Sequence, residues 1–170
     1  MKTEQLTHNT TLSESGAHDL VLICDGISSP ANAGSLMRLS DALGVKHLYF
    51  CNSTINFESS RFKRTSRSTE MYVPYTQTSD CDTILEKLMQ ENYTLLGLEL
   101  TNNSISLTDF NMQANEKIAL ILGNERHGIS ASVLTKLNKS IYIPMYGKNS
   151  SMNVAQAAAI AAYTLINNRL

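Results

Sequence analysis

Three short blocks of polar and small residues carry the side chains best suited to chemistry, and each block follows an apolar run. Asn32 and Arg38 belong to PANAGSLMR, Glu125 belongs to GNERHG, and Ser151 and Asn153 belong to MYGKNSSMN. Structural roles compete with chemical ones, because a glutamate can bond backbone amides and Ser or Asn at the start of a helix can cap it. No two carboxylates in the chain stand out as an acid–base couple.

Several common kinds of site are excluded by motifs that the sequence lacks. The first apolar run is followed by CDGISSPANAG instead of G-x-G-x-x-G, which argues against an ordinary Rossmann-type nucleotide or methyl-donor site. The chain has no P-loop and no G-x-S-x-G elbow. Its three cysteines form no CxxC pair and its four histidines show no metal-ligand spacing, so no disulfide framework and no metal are expected. Cys24 and Cys51 are expected to be core residues.

The elements that must position these blocks alternate between strands and helices. Short apolar runs, typical of strands buried on both faces, occur at 20–24, 45–50, 71–75, 94–100, 118–122 and 140–144. Helical periodicity occurs at 33–43, 80–92, 129–137 and 152–168. This order predicts an α/β fold with a mostly parallel sheet and helices on both faces. The three blocks are then expected to converge at the carboxyl ends of the strands, where ligands bind.

The helix at 33–43 has one apolar face, formed by Leu36, Leu39 and Leu43. Arg38 projects from nearly the opposite side, with Gly34 one turn before it. An arginine beside a glycine can meet a ligand or a partner backbone closely, although a lone arginine there is more often a surface charge.

The last helix, NVAQAAAIAAYTLINNRL, is apolar around nearly its whole circumference. Such a helix must be buried on all sides, and a terminal helix of a small domain is hard to bury completely. A second subunit is the natural partner, and a helix packed entirely inside its own chain is the alternative.

Length and composition fit one domain of a globular protein, with 170 residues, 42% hydrophobic and 17% charged. Residues 1–18 are interpreted as a polar arm without the apolar core of a secretory signal, and 19–170 as a single domain, so a cytoplasmic protein is expected. The net charge of −1 hides one basic cluster, Arg61, Lys63, Arg64 and Arg67. This cluster fits either a solvated face or a patch that contacts RNA phosphates.

Together the three blocks resemble the motifs of the SpoU-type (TrmH-like) RNA 2′-O-methyltransferases of the SPOUT superfamily, from about residue 20 to the C-terminus. Asn32, Gly34 and Arg38 fill the first motif, LILGNERHG the second, and IPMYGKNSSMNVAQAAA the third. There are two departures. Met152 stands where leucine is usual, and Arg64 is followed by TSRSTE where the family often has a Ser-x-Gly-Ala-like stretch.

The resemblance implies a C-terminal deep trefoil knot and a homodimer packed partly through the last helix. It also implies S-adenosylmethionine as methyl donor, without a metal. The donor is expected to bind largely through backbone groups, against Leu98, Glu99, Gly123, Ile143 and Met152.

The chemistry that the resemblance implies is methyl transfer to a ribose 2′-hydroxyl. The protein must align donor and acceptor and help to remove the hydroxyl proton. By resemblance, Arg38 is the base or hydroxyl activator, or the group that orients the hydroxyl, since free arginine stays protonated at neutral pH. Asn32, Glu125, Ser151 and Asn153 are expected to position Arg38 and the RNA backbone.

The expected substrate is structured RNA, with tRNA favoured over ribosomal RNA. Two alternatives compete with this interpretation. A non-catalytic RNA-binding module on the same fold predicts loss of Arg38, Asn32 or Glu125, and all three are present. A superfamily enzyme that methylates a base is disfavoured by the Ser-Met-Asn pattern at 151–153.

Overall fold

A computed structural model of the protein describes residues 18–113 and 115–167, and within them the chain forms a seven-stranded sheet and five α-helices. The strands are β1 His18–Asp25, β2 Val45–Cys51, β3 Tyr75–Thr78, β4 Tyr93–Leu98, β5 Ile105–Ser106, β6 Lys117–Leu122 and β7 Lys139–Tyr142. The helices are α1 Pro30–Ala42, α2 Ser60–Ser66, α3 Cys81–Gln90, α4 Ala131–Leu134 and α5 Val154–Asn167. The strand order is β3-β2-β1-β6-β4-β7-β5 and every pairing is parallel, so the predicted α/β fold is confirmed.

The sheet is buried on both faces, which explains why its central strands lack polar alternation. Leu20, Leu22 and Cys24 of β1 point into a cluster that α1 and α5 cover. Val21 and Ile23 point into a second cluster, which α3 and α4 cover. The two core clusters therefore confirm the prediction of helices on both faces. Cys24, Cys51 and Cys81 are all buried free thiols, as expected for Cys24 and Cys51.

The strand register brings the carboxyl ends of the central strands to one edge. Cys24 of β1 lies opposite Leu122 of β6, and Leu98 of β4 lies opposite both Leu122 and Ile141 of β7. The segments that follow these four strands therefore leave the sheet side by side. This edge is where the three sequence blocks converge.

Local signals define α1 and position its first turn. The Ser29 hydroxyl accepts a hydrogen bond from the Asn32 backbone N–H, and Pro30 occupies the first helical position, where its missing N–H has no cost. The helix ends at a C-cap on Leu43, followed by Gly44 in the left-handed region.

Helix α2 packs against α1 at unusually close range, and Gly34 makes this possible. A Cβ at Gly34 would overlap Thr65 and approach the Phe62 carbonyl to 2.8 Å. The glycine that the sequence places one turn before Arg38 thus receives a neighbouring helix of the same chain. Further along α1, the Tyr72 hydroxyl donates to Asp41 at 3.4 Å.

The structure corrects three sequence predictions. The strand predicted at 71–75 lies further along the chain, as β3. The N–H groups of Met71 and Tyr72 bond the Ser68 and Thr69 carbonyls and close a 3₁₀ turn at Thr69–Met71, and the Thr69 hydroxyl donates to the Ser66 carbonyl. The helix predicted at 129–137 is limited to α4, because Asn138 exchanges hydrogen bonds with Leu95 of β4.

The third correction concerns the polar arm predicted at 1–18. His18 belongs to β1, where its N–H bonds the Gly44 carbonyl, and residues 1–17 lie outside the described part of the chain.

Helix α5 is packed on one side only within its own chain. Ala158, Ala161, Ala162 and Leu165 are buried, whereas Ile160 is 44% exposed and Tyr163 is 62% exposed. The alternative of a helix buried entirely inside its own chain is therefore wrong. No helix in residues 18–113 and 115–167 is long and apolar enough to cross a membrane.

Candidate active site

A cleft of about 800 Å³ lies at the carboxyl edge of the sheet. Residues of the segments 98–100, 122–128 and 142–154 line it, together with Asn32 of α1. Its volume is in the range of roughly 300–1,000 Å³ that is typical of sites for small molecules and cofactors.

Two glycines allow the segment after β6 to close into a tight loop beside this cleft. Asn124 and Gly128 exchange backbone hydrogen bonds of 2.9 and 3.0 Å. A Cβ at Gly123 would overlap the backbone of Gly128 and Ile129. Gly128 has a φ of +67°, and a Cβ there would overlap the Glu99 carboxylate. The loop therefore fits only with glycine at both positions.

A chain of hydrogen bonds joins the three sequence blocks at the rim of the cleft. Asn153 Nδ2 donates to Asn32 Oδ1 at 2.9 Å, and Asn32 Nδ2 donates to Glu125 Oε1 at 2.9 Å. Glu125 also accepts from the backbone N–H groups of Ser28 at 3.3 Å and Ser29 at 3.1 Å. The structure therefore brings together three of the five predicted catalytic residues.

The surroundings of Glu125 favour its ionised form. Partial burial raises the pKa of its carboxyl group, but the hydrogen bonds from Asn32 and from the backbone amides outweigh this effect and leave the pKa below its ordinary value. Glu125 is thus a fixed carboxylate that organises the loop after β1, as the structural interpretation of this residue anticipated.

Asn124 is a structural residue of the site that the sequence interpretation did not single out. Its Nδ2 donates to the Gly26 carbonyl at 2.6 Å, and its Oδ1 accepts from Arg126 N–H at 2.9 Å and His127 N–H at 3.1 Å. It thereby fixes the second block to the loop after β1. Its position just after β6, between Gly123 and Glu125, was the available signal.

The five residues predicted to contact the donor, Leu98, Glu99, Gly123, Ile143 and Met152, all line the cleft. Glu99 is held in place because its two carboxylate oxygens accept from Leu100 N–H at 3.0 Å and Ile129 N–H at 3.2 Å. In the described residues no group of three or more His, Cys, Asp and Glu could hold a metal ion.

Ser151 and Asn153 both line the cleft but differ in their contacts. Asn153 caps α5, because its Oδ1 accepts from Ala155 N–H at 2.9 Å and Gln156 N–H at 3.3 Å. The Ser151 hydroxyl is exposed and makes no hydrogen bond within the described chain. It is available to a ligand.

The sequence matches a known protein family over most of its length. The model of the SpoU rRNA Methylase family matches residues 19–163. The chain belongs to this family.

Curated relatives of this SpoU-family chain include one enzyme that is named for ribosomal RNA and one that is named for tRNA. It is 30% identical over 145 residues to the 23S rRNA (guanosine(2553)-2′-O)-methyltransferase RlmP of Bacillus subtilis, covering 85% of this chain and 57% of that protein. It is 28% identical to the tRNA (guanosine(18)-2′-O)-methyltransferase of Saccharomyces cerevisiae, covering 86% of this chain and 10% of that protein. The chain thus spans less than three fifths of the length of either relative.

Solved structures of similar fold extend the comparison. The SpoU methyltransferase AviRb from Streptomyces viridochromogenes matches with a TM-score of 0.80 and 25% identity, over 89% of this chain and 60% of AviRb. Its complex with the cofactor AdoMet matches with a TM-score of 0.81 and 24% identity, over 92% of this chain and 62% of AviRb. A third structure, which concerns the 2-OH methylation of C/U34 on tRNA, matches with a TM-score of 0.76 and 26% identity. The match covers 91% of this chain and 97% of the other chain.

Arg38, the activator expected in a SpoU-family chain, is not among the residues that line the cleft. It is exposed on α1, about 9 Å along the helix axis from Asn32 at 1.5 Å per residue. It has no hydrogen bond or ion pair with any residue of 18–113 or 115–167. Its role in catalysis stays a prediction.

The four basic residues predicted to bind RNA lie on α2 and at its C-terminal end, outside the cleft lining, and all four are exposed: Arg61, Lys63, Arg64 and Arg67. Lys63 forms an ion pair with Glu58, whereas the three arginines have no ion-pair partner within the described residues. Arg67 and Ser68 both adopt left-handed backbone conformations, with φ of +52° and +67°.

Proposed function

We propose that the protein transfers a methyl group from S-adenosylmethionine to a ribose 2′-hydroxyl of RNA. The observation that carries the proposal is the chain of hydrogen bonds from Asn153 through Asn32 to Glu125, which stands at the rim of a cofactor-sized cleft. Family membership and curated relatives named as RNA 2′-O-methyltransferases support it.

The cleft is suited to the proposed donor in size and in lining. Leu98, Ile143 and Met152 offer apolar surface for an adenine ring, and the glycine-containing loop at 123–128 exposes backbone groups to the cleft. The AdoMet complex of AviRb, which has the same fold, supports this choice. S-adenosylmethionine supplies a methyl carbon that its sulfonium makes electrophilic, and it leaves as a thioether.

The residues of the chain would then supply alignment and proton removal. Glu125 holds Asn32, and Asn32 holds Asn153, so these amides are positioned before RNA arrives. The Ser151 hydroxyl is free to bond the RNA backbone. We assign Arg38 to orient the attacking 2′-hydroxyl and to stabilise its developing negative charge. The oxygen forms a bond to the methyl carbon as the carbon–sulfur bond breaks, and the hydroxyl proton passes to solvent water.

We propose tRNA as the substrate class. The structure concerned with methylation of C/U34 on tRNA supports this choice, because the similarity extends over 97% of that chain. Arg61, Lys63, Arg64 and Arg67 are proposed to contact RNA phosphates, in keeping with their exposure. Ribosomal RNA is the alternative, favoured by the relative RlmP.

The decisive experiment is mass-spectrometric mapping of 2′-O-methyl nucleosides in tRNA and rRNA from a strain without the gene. We expect one tRNA mark to disappear, to return with the wild-type gene, and not to return with Arg38→Ala. A mark lost from rRNA instead would select the alternative substrate. An unchanged methylation map, or a purified protein that does not bind S-adenosylmethionine, would contradict the proposed activity.

We further propose that the protein is a cytoplasmic homodimer with its C-terminal segment knotted, as the family resemblance implies. The exposed Ile160 and Tyr163 on an alanine-rich helix support a subunit contact through α5. Light scattering coupled to gel filtration tests the dimer. We expect a dimer for wild type and a monomer for Tyr163→Glu, and a wild-type monomer would refute the proposal.

A further inference from the structure

Tyr146 differs from its neighbours in the segment between β7 and α5. Met145 and every residue of 147–153 line the cleft, whereas Tyr146 does not. Its side chain is 96% exposed. It makes no ring contact and no hydrogen bond with any residue of the described chain. The loop that lines the cleft therefore carries one exposed, unpartnered aromatic ring.

The charges that line the cleft indicate what it receives. Within the described residues they come from four side chains: Glu99, Glu125, Arg126 and Lys148. Both acids already accept hydrogen bonds from backbone or side-chain donors of the protein. Neither cation has an ion-pair partner in the same described segments. The formal charges of these four side chains cancel, but the carboxylates are held by protein donors, whereas Arg126 and Lys148 are free to contact an anion.

A flat aromatic ring beside unpaired cations is the combination by which proteins hold single-stranded nucleotides. The ring stacks on a base, and the cations contact the phosphates. Tyr146 and Lys148 are two residues apart in one loop, and the space beside Gly147 between them is open. This sequence separation is short enough for both side chains to contact the same RNA strand.

We propose that Tyr146 stacks on a nucleobase of the RNA at the mouth of the cleft, and that Lys148 contacts a phosphate of the same strand. This inference rests on the proposed RNA methyltransferase function and adds the part of the site that holds the acceptor. It makes Tyr146 a residue that binds RNA, not one that binds the donor.

The test compares Tyr146→Ala, Tyr146→Phe and Lys148→Met with wild type, using S-adenosylmethionine and total RNA from a strain without the gene. Met89→Ala is the matched control. Met89 is an exposed apolar residue on α3, which packs on the face of the sheet opposite to α1 and α5, and it does not line the cleft. For Tyr146→Ala we expect the apparent KM for RNA to rise at least about fivefold, the lower bound for a lost stacked base. Tyr146→Phe keeps the ring, so its KM should stay within about twofold of wild type.

Lys148→Met is read from the salt dependence of RNA binding. The slope of log Kd against log salt should decrease by about 0.7, the value for one phosphate contact to a single strand. Donor affinity, measured by calorimetry, should be unchanged in all three variants. Met89→Ala should match wild type in every measurement.

The outcomes separate this inference from the proposed function. If wild type neither binds the donor nor methylates RNA, the proposed function is wrong and this inference falls with it. If wild type is active and Tyr146→Ala has an unchanged KM, only the stacking role is overturned. A loss of donor affinity in Tyr146→Ala would make Tyr146 a cover of the donor site, and a change of oligomeric state would make it a subunit contact; either result refutes the proposal.

Discussion

Replacing Asn32 by alanine should affect stability and activity together, because one amide joins two hydrogen bonds. The variant loses the bond from Asn32 Nδ2 to Glu125 and the bond from Asn153 Nδ2 to Asn32, each 2.9 Å long. A bond to a charged group contributes about 1.5–3 kcal/mol, but solvent around Glu125 reduces this to about 1 kcal/mol. A neutral bond adds about 1 kcal/mol.

The sum is a loss of about 2 kcal/mol in the free energy of unfolding. For a chain of this size it corresponds to a decrease in Tm of about 4–8 °C, measured by calorimetry at pH 7. Asn102→Ala is the control, because Asn102 is exposed and makes no hydrogen bond in the described chain. Its Tm should stay within about 2 °C of wild type, since surface substitutions usually change stability by less than 0.5 kcal/mol.

The pH dependence gives a second readout. The pKa of Glu125 is lowered in the folded protein, so the stability that it contributes is present above its unfolded pKa and is lost as pH falls through the folded value. Asn32→Ala removes the side-chain donor, so the pKa of Glu125 should rise. The difference in Tm between wild type and variant should therefore be largest near pH 7 and shrink below pH ~4.

Methyl transfer should fall about 100-fold in Asn32→Ala, because misplacing a positioning group by about 1 Å has effects of this size. Equal Tm values for the two proteins, or a Tm difference that grows toward acid, would refute the assigned network. Full activity in a destabilised variant would make the network purely structural.

Three further predictions test other parts of the structure. Gly123→Ala should lower the free energy of unfolding by about 1–3 kcal/mol because its Cβ overlaps the Gly128 backbone, whereas Gly147→Ala, with free space around it, should be neutral within about 0.5 kcal/mol in denaturant titrations. Ser68→Gly should stabilise the protein by about 0.5–1 kcal/mol, because glycine adopts the left-handed φ of +67° without the cost of a Cβ; a lower Tm would contradict this. Cys24 should resist iodoacetamide at pH 7.5 until the protein unfolds, because burial first and the Glu125 charge second raise the pKa of its thiol; labelling of the native protein, detected by mass spectrometry, would contradict the burial.

The central sheet was predictable from the sequence because its strands are buried on both faces and appear as uninterrupted apolar runs. The short elements around this central sheet could not be predicted in the same way. β5 has only two residues, and α2 buries only Phe62 and Ser66, so neither produces a periodic pattern. The 3₁₀ turn at Thr69–Met71 depends on a side-chain hydrogen bond that hydrophobicity does not encode.

The candidate site was predictable to a similar degree. The convergence of Asn32, Glu125 and Asn153 follows from the parallel sheet, since each residue comes just after a strand end or begins the next helix. The partners of these side chains do not follow from it, because hydrogen bonds between residues about 90–120 apart depend on the final register. The same limit applies to Asn124, whose bond to the Gly26 carbonyl spans the two loops.

Of the five predicted catalytic residues, Arg38 alone does not line the cleft. The sequence resemblance makes it the activator, whereas the structure has it exposed and outside the cleft lining. Under the proposed function, RNA, a partner subunit or both come to this arginine when catalysis occurs. A complex with RNA is therefore informative about Arg38 in a way that the isolated chain is not.

The most direct test of the proposed activity is to incubate purified protein with S-adenosylmethionine and RNA from the deletion strain and to identify the modified nucleoside by mass spectrometry. We predict a nucleoside that carries the added methyl group on its ribose, formed by wild type and absent with Arg38→Ala. Methylation on a base, or no methylation of any RNA by a protein that is folded and binds the donor, would contradict the account.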